Sequence, residues 1–152
     1  MPMEVAMTKW LGGTRGALLI VVLWVVGWGV GFGGLAELLV DPDGETLDMW
    51  PAEMAIPGFI GGIIFAIFVR ASEGKRRFDA VPLMRFTLWG AVTGAILAVL
   101  SIASDGPIPL DVSAAEMIGV GTGLSAVAGF GTGIFFRLVT GNLTLGLPSR
   151  TT

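Results

Sequence analysis

The 152-residue chain has no cysteine, no histidine and no tyrosine, and only 14% of its residues are charged. Without cysteine there is no disulfide, no thiolate nucleophile and no thiolate metal site. Without histidine the chain lacks the usual general base, the side chain that titrates near neutrality, and the commonest ligand for metals and tetrapyrroles. A soluble domain carries about 25% charged residues, so this chain has too little polar surface to stay dissolved. Its nine basic and twelve acidic residues give a net charge of −3, which leaves no basic face for nucleic acid.

What is abundant is apolar: 53% of residues are hydrophobic and 24 are glycine. The charges divide the chain into four apolar stretches, about 16–37, 50–69, 86–104 and 115–137. A helix rises about 1.5 Å per residue, so about 20 residues cross a hydrocarbon core of about 30 Å. The expected fold is therefore all-α, a single polytopic transmembrane domain over 1–152 with four spanning helices. The first stretch exceeds the about 7–15 apolar residues of a secretory signal and no A-x-A-like cleavage site follows it, which predicts an uncleaved signal anchor.

Charge asymmetry predicts the orientation. Lys9, Arg15, Arg70, Lys75, Arg76, Arg77, Arg85, Arg137 and Arg150 all lie before the first span, between the second and third, or after the fourth. Only Glu4, Glu73 and Asp79 accompany them, while Glu37, Asp41, Asp43, Glu45, Asp48, Glu53, Asp105, Asp111 and Glu116 fall on the other side. The positive-inside rule then places both termini in the cytoplasm.

Local signals mark the helix ends. Ser113 followed three residues later by Glu116 reads as a capping box opening the fourth span. Asp48 and Asp79 are expected N-caps of the second and third. Pro57, inside the second span, is expected to bend it. Met3, Met7, Trp10 and Leu11 have helical spacing and are expected to lie along the cytoplasmic interface.

Helices in lipid associate by close van der Waals packing, which small residues four apart permit. Such ridges occur as Gly58, Gly62 and Ala66; Gly90, Gly94 and Ala98; Gly121, Ser125, Gly129 and Gly133; and, in the first span, Gly27 with Gly31 or Gly29 with Gly33. Residues 58–65 and 129–136 are identical at five of eight positions, and Arg15 and Arg85 share nearly the same offset, the pattern of a duplicated helical hairpin. Gly119-Val-Gly-Thr-Gly123 looks like a dinucleotide fingerprint, but no strand precedes it and it sits in a span.

Chemistry is sparse. The span interiors hold no ionisable group; Glu53 and Glu116, each in an Ala-Glu-Met context, sit within a turn of the outer ends. Thr87, Thr93, Ser101, Thr122, Ser125 and Thr132 are expected to satisfy helix carbonyls or bridge helices. A serine nucleophile needs a base, and the spans offer none, so the chain is not expected to be an enzyme. Asp41-Pro-Asp-Gly-Glu45 reads as a solvated turn rather than a calcium loop, with an acidic docking edge as the alternative. Lys75-Arg76-Arg77 sets topology and attracts anionic lipid. Trp24 and Trp28 lie one turn apart at mid-span, away from the interfaces that Trp favours. They are expected to pack into the bundle, face lipid, or meet a flat apolar partner such as a pigment, a quinone or a neighbouring helix.

Residues 73–94, with Arg76, Arg77, Phe78, Asp79, Arg85, Phe86, Trp89, Gly90, Ala91 and Gly94, resemble a segment of small uncharacterised bacterial multi-pass proteins. That likeness implies a four-helix fold in the bacterial inner membrane and brings no activity. The chain is also similar to accessory subunits of reaction-centre–light-harvesting complexes, small edge proteins without a redox centre. The function expected is that of a non-catalytic accessory subunit stabilising a larger integral-membrane complex, best matched by such a photosynthetic assembly. Its partners would be lipids and other membrane subunits; it would bind no cofactor through its own ligands, touching only pigments or lipids. The alternative is a small transporter or channel component working as an oligomer.

Overall fold

The computed structural model describes residues 14–39, 43, 50–74, 78–104 and 113–140. Every regular element among them is helical: α1 (Thr14–Leu39), α2 (Trp50–Glu73), a 3₁₀ turn (Phe78–Ala80), α3 (Leu83–Ala103) and α4 (Ala114–Val139). All four α-helices are long and apolar enough to cross a membrane, as expected. Each starts or ends a few residues from the charge-defined limits, because a charged residue near a helix end does not stop the helix. The clearest case is α2, which runs through Arg70 to Glu73 before Gly74 takes a left-handed φ of 59°.

The ends obey the caps only in part. The Ser113 hydroxyl accepts the Glu116 backbone N–H at 3.3 Å, and the Ser113 N–H donates to Glu116 Oε2 at 2.8 Å, completing the capping box. Ser113→Ala is expected to cost about 1 kcal/mol, a fall of about 3 °C in Tm by circular dichroism in detergent. The cap of α3 differs from expectation: Pro82, not Asp79, holds the N-cap position, with no side-chain hydrogen bond. The 3₁₀ turn takes up Asp79 four residues before α3 begins. Helix α2 continues through Pro57. The carbonyl deprived of its helical donor belongs to exposed Glu53, near the polar end where water can replace the bond. Asp48, the Met3–Leu11 segment, Lys75–Arg77 and the Asp41–Glu45 turn apart from exposed Asp43 lie outside the described residues.

The helices pack as two hairpins, α1 on α2 and α3 on α4; contacts of α2 with α3 are fewer, and of α1 with α4 fewer still. Phe65, Val69, Phe78, Val81, Phe86 and Phe136 join the hairpins at the end that carries the arginines, and all six are buried. Ring contacts run from Trp24 to Phe65 (4.7 Å), Phe65 to Phe86 (6.0 Å), Phe86 to Phe136 (6.3 Å) and Phe136 to Phe78 (5.3 Å). The aromatic contact between the hairpins thus lies toward the basic end, while Trp28, Trp50 and Ala98 are buried farther along the bundle.

Candidate functional site

In the first hairpin, glycines of α2 receive the tryptophans of α1. A Cβ at Gly58 would lie 2.8 Å from the Trp24 carbonyl oxygen and from Trp28 Cβ; one at Gly62 would lie 2.9 Å from Val21 Cα. Gly61, which sequence reading left out, meets the Trp24 ring at 3.0 Å and Leu97 of α3 at 2.8 Å by the same measure. Trp24 is fully buried and Trp28 nearly so. The first of the three expected settings therefore holds: both rings are spent inside the hairpin, and neither is offered to a pigment or lipid at the surface. Neither indole N–H has an acceptor among the described residues. Trp28→Phe is therefore expected to change stability by no more than about 1 kcal/mol, since the cavity it leaves is offset by loss of an unsatisfied donor. Thermal unfolding in detergent checks this.

A feature not foreseen lies beside Trp28. Residues Gly27–Gly33 form a π-helical segment, closed by the Gly34 N–H donating to the Gly29 and Gly31 carbonyls. Glycine at every second position is a weak α-helix former, and the wider turn sets Gly29 and Gly33 against Pro51 and Trp50 of α2. Of the two glycine rows expected in this span, Gly29 and Gly33 make that contact, whereas Gly27 and Gly31 face open space. The alternation itself was the available signal.

The second hairpin brings backbones together. A Cβ at Gly90 would overlap the Ser125 carbonyl oxygen, one at Gly94 the Gly121 carbonyl oxygen, and one at Gly129 the Phe86 carbonyl oxygen. Gly133 packs on Leu83 and Phe86, and Gly121 is looser, its Cβ position 3.3 Å from the Gly94 carbonyl. Ser125 is fully buried between Gly90 and Gly94, its hydroxyl without a partner among the described residues. The buried threonines serve their own helices: Thr93 donates to the Trp89 carbonyl and Thr132 to that of Ala128, both at 2.8 Å. Thr87 does the same toward Leu83 at 3.1 Å.

The two hairpins use the repeated segment alike but not in the same register. Gly58 and Gly62 pack on the preceding helix, as Gly129 and Gly133 do, and Phe65 and Phe136 are both buried. Gly62 meets Val21 and Trp24, well beyond Arg15, whereas Gly133 meets Leu83 and Phe86, on either side of Arg85. The shared motif is a packing unit, and the Arg15–Arg85 offset is not part of it.

At the basic end Arg85 Nη1 donates to Glu73 Oε1 at 2.6 Å. The Glu73 side chain is 2% exposed and that of Arg85 is 52% exposed, so the pair has one dry and one wet member. Arg137 reaches the Val81 carbonyl at 3.5 Å. Glu73, Phe78, Arg85, Phe86 and Trp89, from the stretch that carries the resemblance, thus build the junction between hairpins, while Gly90 and Gly94 pack inside the second. Placing Glu73 in a polar loop hid this pairing; its position one turn past Arg70 on a continuing helix was the signal. At the other end Glu116 is held by Ser113 and Glu53 is exposed, and no hydrogen bond or ion pair joins the two. Among the described residues no group of three or more acidic side chains is placed to hold a metal ion. Compared with known protein families, curated proteins and solved structures, the chain matches none.

Proposed function

We propose that the chain is a non-catalytic structural or accessory subunit of a larger integral-membrane assembly in a bacterial inner membrane, with both termini cytoplasmic. The observation that supports it is how the surface is divided. The rows Gly29 with Gly33, Gly58 with Gly62, Gly90 with Gly94 and Gly129 with Gly133, and the buried threonine hydroxyls, are used within the chain, whereas Gly27 and Gly31 face open space and the large exposed side chains along the spans are apolar. Leu18, Val22, Val26 and Val30 form an exposed stripe along α1, and Ile56, Phe59, Ile60, Ile63 and Ile67 another on α2. Such faces suit lipid tails or neighbouring helices. The termini follow from the basic residues on one side. A reaction-centre–light-harvesting assembly is the first complex to examine, because a small chain without histidine fits an edge subunit that ligates no pigment itself.

Purification from native membranes in mild detergent, followed by mass spectrometry of what accompanies the chain, tests the reading. Co-migration with a pigmented or respiratory complex supports it. A stable homo-oligomer that gives substrate-dependent flux in vesicles overturns it in favour of a transporter or channel component. That second reading has one observation of its own: the π-helical part of α1 packs on the stretch of α2 just before Pro57. A π-helical turn within a spanning helix, packed beside a proline-containing one, is the kind of irregularity that recurs at functional sites.

A further inference from the structure

Helices α1 and α2 touch at Gly62 and Val21 and leave a groove between them from there to the basic end. Its volume is about 430 Å³, within the range of small-molecule sites. Leu18, Val21, Ile63 and Ile67 wall it, and half-buried Ala17 and buried Ala66 form its floor. The lining is almost wholly apolar, and its two polar residues, Thr14 and Arg70, stand at one end. From Arg70 to Ile63 the groove follows about 10 Å of helix.

We propose that this groove seats one acyl chain of an anionic phospholipid, with the lipid phosphate held by Arg70. The shape suits the tail: about 430 Å³ spread over about 10 Å of helix, walled by aliphatic side chains, accommodates a polymethylene chain. The charge selects the headgroup. Arg70 is exposed and gives Nη1 to the Gly74 carbonyl at 3.1 Å, leaving the rest of a planar guanidinium that matches phosphate geometry. Exposed Thr14 stands at the same end. A zwitterionic lipid would bring its own cation to a place already basic, since the described cations Arg15, Arg70, Arg85 and Arg137 all lie at this end of the helices. The inference does not depend on the subunit reading above.

The full chain, delipidated in mild detergent, is titrated with phosphatidylglycerol, phosphatidylcholine or inorganic phosphate, with native mass spectrometry and thermal unfolding as readouts. Phosphatidylglycerol is expected to be retained and to raise Tm, phosphatidylcholine to bind about fivefold more weakly, and phosphate alone to do neither. Arg70→Gln should remove the preference between the two lipids while keeping the tail site. Ala71→Phe, at an exposed groove position, should lower retention of both lipids with the lipid-free Tm unchanged. Equal retention of both lipids by the unmodified chain, retention that neither variant alters, or stabilisation by phosphate alone would each overturn the proposal.

Discussion

Gly129→Ile is expected to open the α3–α4 hairpin and lower Tm by about 10 °C, whereas Gly131→Ile, two residues away, leaves it unchanged. The difference lies in what a side chain meets. At Gly129 the first added carbon already overlaps the Phe86 carbonyl oxygen and stands 3.1 Å from Gly90 Cα; both are backbone and cannot rotate away. Overpacking a core costs about 1–3 kcal/mol when side chains can adjust. Here the helices must separate, which places the cost at the upper end, about 3 kcal/mol, and sets the expected shift for a chain of this size. Separation also draws Phe86 away from Phe136, whose ring stacks on it at 6.3 Å, so the damage reaches the junction between hairpins. At Gly131 nothing lies within 4 Å, and the residue is exposed. Isoleucine there meets only lipid and is a slightly better helix former than glycine. Thermal unfolding of both variants in one detergent decides the matter: equal shifts would show that the ridge is not the contact holding the hairpin.

That contrast also shows where sequence reading reaches its limit. Spacing picked out Gly58, Gly62, Gly90, Gly94, Gly129 and Gly133 as packing positions because close backbone approach needs small residues at one helical face, and the face repeats every fourth residue. The same spacing allowed either of two rows in α1, since Gly27, Gly29, Gly31 and Gly33 all qualify; only the partner, Pro51, distinguishes them. Periodicity likewise cannot foresee a π-helical turn, because it assumes a constant number of residues per turn. Trp24 was ambiguous for a related reason. A large ring in mid-span is equally apolar toward lipid and toward protein, and what buries it is the flat surface formed by Gly58, Gly61 and Gly62 on another helix. The missing link was Glu73. Loop and helix end are hard to separate by charge alone, and whether an acid is solvated or buried depends on an arginine twelve residues away.

Arg85→Met is expected to destabilise the bundle by about 3 kcal/mol, and a second change, Glu73→Met, to restore most of it. Removing one member of a buried ion pair takes from the other a countercharge it was desolvated to meet, and the loss is greater the drier the member that remains. The pair is lopsided: Glu73 is nearly dry and Arg85 half exposed. Losing the arginine leaves a carboxylate buried without the guanidinium that faces it, whereas losing the glutamate leaves an arginine that water and headgroups still solvate. Glu73→Met alone should therefore cost little, within about 1 kcal/mol, and the double variant should resemble it, since an apolar pair of similar volume replaces a buried ion pair at little net cost. The affected place is the short connection from α2 to α3, where Phe78 and Val81 are buried, so Arg85→Met should loosen one hairpin from the other before either unfolds. A double-mutant cycle by thermal unfolding, with proteolysis of the 74–82 connection as a second readout, measures both effects. Additive losses in the cycle, or a glutamate variant as damaged as the arginine one, would show that the pair is a surface contact and that the aromatic chain from Phe65 to Phe136 alone joins the hairpins.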